Sequence, residues 1–445
     1  MGIMCHCFLA VLFGVTLAVT ASAAEKDAVQ SESDRQLARQ LSRLVQQLND
    51  DRAAERDAAE AKLLELAGST TVDTDRFLEL LPQENDQMPL AVRDRLSRIR
   101  QQVEEGVAKA AVDGTKITLA AKQIPLADVF AAIEKQTGNR FIDNRDPDAG
   151  RGPQGNITID LKDDPFWPAV DRILDQAQVG IYAYGGEDAL SIVSRAVDDA
   201  PRYGRVSYSG PFRIELLEIQ AQRNLRQPTR NSLKLQLEVA WEPRLRPIAL
   251  SQPVADVEAA TDAGEQLAVA QPEAVLDVEV PVGTQAAEII LPFELPPRDT
   301  KRISTLRGKL RALVPGRQVK FQFDDLTNAA VKTQRRGGVQ VTVDNVRKNN
   351  EVWEIHMRLA LDEDNDALQS HRGWVFQNLS YLVGGDGDPI DNAGFETTRQ
   401  TRNEVGIAYL FDLADGIEGL TWVYETPAAI VEVPVEYVLK DIALP

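Results

Sequence analysis

The sequence predicts a multidomain α+β protein: an N-terminal helical segment, a small duplicated βαβ module and two tandem β-sandwiches. Three observations carry this reading. Apolar residues recur at helical spacing from Asp34 to about Ala111. A strand–helix–strand pattern then occurs twice between residues 117 and 182. From about residue 205 onward apolar and polar residues alternate, the period of half-buried strands. A chain of 445 residues has room for about three or four domains.

The first 23 residues are expected to be an export signal. Phe8 to Val19 is an apolar run short for a bilayer span, and Ala21-Ser22-Ala23 fits a small-residue cleavage site. The mature chain would then begin near Ala24. No Lys or Arg precedes the apolar run, only His6, so retention as an uncleaved anchor is the alternative. Both cysteines, Cys5 and Cys7, fall inside this segment. The remainder would hold no disulfide, thiol nucleophile or thiolate metal site. A large exported protein without disulfides fits a bacterial envelope, so the expected location is periplasmic, outer-envelope associated or secreted. With 68 acidic and 49 basic residues the net charge is −19. Such a chain lacks the broad basic surface that DNA, RNA or an anionic membrane attracts.

Residues 34–111 read as helices. Leu37, Leu41, Leu44, Val45 and Leu48 form one stripe, broken by Asn49-Asp50-Asp51. Arg56, Ala59, Leu63 and Leu66 mark a second helix ending at Gly68. Phe77, Leu78 and Leu81 mark a third, stopped by Pro82, and Pro89 opens a fourth carrying Val92, Leu96, Ile99 and Val103. Four short helices with brief turns resemble one or two units of a HEAT-like repeat; a plain bundle satisfies the same pattern.

Residues 115–195 hold the duplication. Ile117-Thr-Leu119, Pro125-Leu126, Val129-Phe130 and Ile133 recur as Ile157-Thr-Ile159, Pro165-Phe166, Ala169-Val170 and Ile173. Leu126, Val129, Phe130 and Ile133 are one helix face. Pro125 and Asp164-Pro165 open the two helices, and Gly138 ends the first. A hairpin around Gly185-Gly186 closes the unit. Together with Ile124, Thr137-Gly138 and Val179-Gly-Ile181, these residues resemble the secretin and TonB short N-terminal domain. The resemblance implies a small envelope module of two βαβ-like halves, which in that family meets partner proteins. One departure is Asp146 to Gly155, a longer Gly/Pro-rich link than the family usually has. Neither a pore nor a transporter follows, because the chain after residue 205 lacks the regular ten-residue strands of a membrane barrel.

Two immunoglobulin-like β-sandwiches are expected at 205–328 and 335–445, with Arg335-Arg336-Gly337-Gly338 as hinge. A single large sandwich is the alternative. Residues 254–272, rich in Ala, Asp and Glu, read as an exposed loop insertion. Phe321-Gln-Phe323-Asp-Asp-Leu326 and Tyr437-Val-Leu439-Lys-Asp-Ile442 stand at matching ends of the halves. The C-terminal run ending in Pro445 is similar to exported proteins of planctomycete-type bacteria that combine HEAT-like helices with Ig-like sandwiches.

Catalytic vocabulary is sparse. Beyond the signal there are two histidines: His356, in an alternating strand and expected to face solvent, and His371, in a polar loop. No Gly-x-Ser-x-Gly elbow occurs. Asp362-Glu-Asp364-Asn-Asp366 begins like a calcium loop but has Ala367 at the glycine position and Gly373 in place of the bidentate glutamate. Asp386, Asp388 and Asp391 are the remaining weak calcium candidates, in a segment that also reads as a turn-rich connection. Arg223, Arg226 and Arg230 form a basic cluster read as a solvated hairpin tip. Trp167, Trp353, Trp374 and Trp422 are expected in cores. No cofactor is called for. The expected function is a non-catalytic envelope protein that contacts protein partners and binds no nucleic acid. The alternatives are an exported carbohydrate-active enzyme or a calcium-dependent adhesion protein, with its site on loops 362–374 and 384–396.

Overall fold

The computed structural model describes residues 34–445 apart from 70–71, 83–86, 146–155, 197–200, 203–204, 329, 362–366, 369–372, 386 and 415. The expected export signal, residues 1–23, lies outside the described residues. Four helices come first: α1 (34–47), α2 (Ala53–Ala67), α3 (Thr74–Leu80) and α4 (Leu90–Val112). Their stripes meet in one core containing Leu41, Leu48, Leu63, Phe77, Leu96 and Ile99. Asp73 caps α3 by accepting the Arg76 N–H at 2.8 Å. Arg100 of α4 is buried and donates to the carbonyls of Leu78 (3.0 Å), Leu81 and Pro82 (both 3.2 Å). These are carbonyls that the end of α3 leaves without helical partners. No helix among the described residues is long and apolar enough to cross a membrane.

The next stretch contains β1 (Lys116–Ile124), α5 (Leu126–Thr137), β2 (Phe141–Asp143), β3 (Ile157–Pro165), α6 (Phe166–Ala177), β4 (Val179–Tyr182) and β5 (Leu190–Ser194). β1 pairs antiparallel with β3; β2 runs parallel to β5, which pairs antiparallel with β4. α5 packs on β1 and β2, and α6 on β3 and β4. Pro125 and Pro165 are the N-caps of the two helices, in extended backbone just ahead of the first turn. Gly138 ends α5 in the left-handed region (φ 74°), and Gln178 does the same for α6 (φ 54°). Val129, Ile133, Val170 and Ile173 share one buried core.

The rest is β: β6 (Ser207–Ser209), β7 (Phe212–Gln222), β8 (Ser232–Trp241), β9 (Ala249–Pro253), β10 (Val257–Thr261), β11 (Val275–Glu279), β12 (Ala286–Phe293), β13 (Arg302–Phe323), β14 (Lys332–Arg336), β15 (Val339–Asn349), β16 (Val352–Leu361), β17 (Leu379–Val383), β18 (Pro389–Asp391), β19 (Gly394–Gln400), β20 (Glu404–Asp412) and β21 (Thr421–Ala443). One sheet runs β12–β8–β7–β6 and another β14–β15–β16–β20–β19. Between them lies β11–β9–β13–β21–β17–β18, with β10 also on β13.

The chain is therefore α+β with sandwich cores, but the two cores are not laid end to end. β13 and β21 form one antiparallel ribbon, in register from Arg302↔Ala443 to Phe323↔Trp422, and both cores use it. Its Leu306, Leu310, Ala312, Val314, Val435 and Tyr437 pack against β7, β8 and β12. Its Val319, Phe321, Phe323, Trp422, Tyr424 and Ala428 pack against β15, β16 and β20. On β13 the first set is even-numbered and the second odd-numbered. Since side chains alternate across a strand, the two cores occupy opposite pleat faces of the ribbon. The last strand of the chain thus completes the first core.

Two local expectations change with this topology. Gly337 and Gly338, both at positive φ (59° and 72°), form the two-residue turn of the β14–β15 hairpin, which pairs Arg336 with Val339. A glycine pair at these angles is turn chemistry, so the expected hinge is a hairpin tip. Residues 254–272 are not a simple loop: Val254, Val257 and Ala259 are buried, and β10 pairs with β13. The alternation Val257-x-Ala259 is short and its small residues hide it. The Asp-Asp-Leu and Lys-Asp-Ile matches sit at opposite ends of the same ribbon, with Asp325 and Asp441 both left-handed (φ 51° and 55°).

Beyond Glu425, β21 pairs only with β13, which is why Pro427 and Pro434 are tolerated there. Serine hydroxyls of β6 cover part of this edge: Ser209 Oγ accepts from Glu436 N–H (3.2 Å) and Ser207 Oγ from Val438 N–H (3.0 Å). On the far edge of β13, alternate residues of β14 do the same. Arg336 donates to Lys320 O (2.8 Å), Gln334 to Gln322 O (2.5 Å), and Lys332 to Asp324 O and Asp325 O (2.6 Å to the latter). Both edges are thereby shielded against pairing with another strand.

Candidate interaction surface

The strand–helix module is fixed to the outer face of the first sandwich sheet by three kinds of contact. The first is apolar. Ala240 of β8 and Ala286 of β12 belong to the module's own core, and Trp167 Nε1 donates to Pro211 O at 2.8 Å. The second is a buried ion cluster. Asp171 of α6 is fully buried and Arg213 of β7 is 1% exposed. Asp171 Oδ2 accepts from Arg213 Nε at 2.9 Å and from Tyr208 Oη at 2.8 Å. Arg213 also donates to Glu215 (2.8 Å), lies 3.9 Å from Glu238 and stands over the Trp167 ring. Burial opposes the Arg213 charge, yet the Asp171 and Glu215 carboxylates hold its pKa above the usual value. Burial pushes the Glu238 carboxyl up, with Arg213 pulling the other way.

The third contact is a hydrogen-bonded knot around Glu242, whose side chain is fully buried. It accepts from Thr115 N–H and Oγ1 (both 2.8 Å), Asn139 Nδ2 (3.1 Å) and Arg244 Nε (2.8 Å). Asn139 Oδ1 in turn accepts from Arg244 N–H at 3.1 Å. Every partner comes from a different turn of chain, so the knot fixes the start of β1, the end of α5 and the end of β8 together.

The β1–β3 sheet is one of the module's exposed surfaces. Thr118, Lys122, Thr158, Asp160 and Lys162 are exposed on it. The two edges differ. On β1 the Gln136 side chain of α5 accepts from Thr118 N–H (2.9 Å) and donates to Thr118 O (3.4 Å). On β3, among the described residues, no strand or side chain covers the outer edge from Ile157 to Leu161.

A cleft of about 310 Å³ lies where the module's 188 loop meets both cores. Val282, Pro427, Trp374 and Leu379 line it. Its charges are matched internally: Arg246 pairs with Asp188 (2.9 Å), and Glu425 with Lys320 (2.8 Å) and the Tyr381 hydroxyl (2.8 Å).

Of the sequence candidates, Asp386 and His371 lie outside the described residues, as do 362–366 and 369–372 of the first loop. Asp388 and Asp391 are exposed at β18. Among the described residues no three His, Cys, Asp or Glu side chains group as a metal site. His356 is partly exposed on the outer sheet face and shares a 2.8 Å hydrogen bond with Glu354. Asn349, His356 and Arg347 hold the Glu354 carboxyl down to about 2. Trp374 and Trp422 are buried, and Trp353 packs partly buried against the same core. The expected 384–396 loop contains strand, β18 and the start of β19, and Phe395 of β19 stacks on Phe376 at 5.6 Å. The buried Asp171–Arg213 pair is what sequence reading missed. Its signal was a carboxylate four residues after Trp167 and three before Leu174, on the apolar stripe of α6.

No known protein family, curated protein or solved structure matches this chain.

Proposed function

We propose that this chain is a non-catalytic, exported cell-envelope protein that holds a protein partner through its strand–helix module. The observation that carries the reading is the β3 edge, unpaired among the described residues, on a module locked in place by the Asp171–Arg213 and Glu242 networks. An unpaired edge offers main-chain donors and acceptors to an incoming strand, and alternate side chains supply selectivity. A module fixed to a large sandwich loses little further freedom on binding. The strand–helix–strand order, occurring twice, supports kinship with the secretin and TonB short N-terminal domain. The buried helical core at 34–103 supports a HEAT-like adaptor at the other end of the chain.

Site-specific photocrosslinking in the native envelope tests this. A photoreactive residue at Thr158, exposed on β3, is expected to capture a discrete envelope protein, whereas one at exposed Asp256 is not. Equal labelling from both positions, or none from Thr158 and Asp160, would overturn strand recruitment.

A further inference from the structure

The loop joining β7 to β8 stands apart from the rest of this acidic chain. Arg223, Arg226 and Arg230 lie on it within eight residues, and Leu225 between them is 89% exposed. None of the three guanidinium groups has a carboxylate within ion-pair distance among the described residues; Arg223 donates to Pro296 O at 3.1 Å. The neighbouring 294–301 loop brings Glu294, Arg298, Asp299 and Lys301 to the same end. The tip is also built to hold its shape. Asn231 Oδ1 accepts from Asn224 N–H (2.8 Å), and Asn224 Oδ1 accepts from the N–H groups of Arg226 (3.0 Å) and Gln227 (2.9 Å). A short 3₁₀ turn, Pro228–Arg230, follows. Leu225 therefore projects from an ordered turn into solvent.

We infer that this tip docks on an anionic phospholipid surface, Leu225 entering the headgroup layer while the arginines engage phosphates. The shape favours a bilayer over a folded protein. A convex apex with one apolar residue needs a pocket in a rigid partner, whereas lipid headgroups yield around it. The arginine stems can lie along the apolar boundary with their charges in the phosphate layer. The net charge of −19 opposes membrane approach by the chain as a whole. At about 0.1 M salt, however, screening confines each charge to roughly 10 Å, so the tip acts on its own surroundings. This contact is independent of strand recruitment at β3, and each can fail without the other.

Flotation of the full chain with vesicles provides the test, comparing phosphatidylcholine alone with phosphatidylcholine containing about 30% phosphatidylglycerol. The apolar run at Phe8–Val19 contributes to both lipids alike, so the measured quantity is the gain from anionic lipid. The native chain is expected to show that gain. Arg226→Glu with Arg230→Glu should reduce it at least about tenfold, and Leu225→Ser about three- to tenfold. Both changes fall at exposed positions, and an unchanged melting temperature would show that folding is intact. Absence of any gain from anionic lipid would overturn the inference. So would full competition by inorganic phosphate with Leu225→Ser unaffected, which would leave a simple anion site. Tip-dependent binding to soluble polyglutamate without vesicle binding would overturn it in favour of an acidic protein.

Discussion

Arg213→Met is expected to lower stability by about 3–5 kcal/mol, because it strands buried carboxylates without their cation. Arg213 is the hub of its cluster: it bonds Asp171 and Glu215, faces Glu238 and covers Trp167. Methionine keeps much of the stem's packing, so the loss isolates the charge. The pH dependence has a definite sign. Burial already raises the Glu238 carboxyl above its ordinary range, and removal of Arg213 takes away the opposing attraction. A carboxylate whose folded-state pKa lies above its unfolded value destabilises the fold once pH exceeds the unfolded value. The gap between variant and native chain should therefore be small near pH 4 and widen toward pH 7, about where carboxylates ionise. Adding Asp171→Asn should restore part of the loss, since it removes the charge that was left buried. Denaturant melts of the three proteins at two pH values measure all of this.

Gly308→Val is the second large effect. Gly308 lies directly opposite Tyr437 in the shared ribbon, and a Cβ at 308 would fall on the Oη and Cζ of that ring. Tyr437 is buried in the first core and its hydroxyl donates to Gln252 Oε1 at 3.1 Å. The ring cannot stay, and displacing a buried aromatic costs about 3–5 kcal/mol. The reason for glycine here is space, since its backbone is not left-handed. Tyr437→Thr in the same chain opens that space and should recover part of the stability, a coupling that thermal melts of the single and double variants would measure.

The helices and strands between residues 116 and 194 were legible from sequence because they are short and their signals local. Apolar spacing gave the α5 face, prolines marked both helix starts, and Gly138 marked an end. The shared ribbon was not. Pro315-Gly316 reads as a break inside β13, and the first half of that strand carries Arg307, Lys309 and Arg311 between its buried residues. The structure accommodates the proline because β13 has lost its second neighbour by that point: β9 pairs only as far as Leu313. Likewise Gly337-Gly338 has the composition of a linker, and only the pairing of Lys332–Arg336 with Val339–Val343 makes it a turn. Asp171 and Arg213 are 42 positions apart and converge only once the module is seated on β7. Asp386 and most of the 362–372 loop fall outside the described residues.

Native-state hydrogen exchange in rising denaturant addresses the physical core of the account most directly. If the module and both sandwich cores are one body, the slowest amides of β3, β8, β13 and β16 should converge on a common opening free energy and lose protection together. Loss of protection in β3 at distinctly lower denaturant than in β8 would mean that the module opens separately. The claim that it is held fixed for a partner would then be wrong.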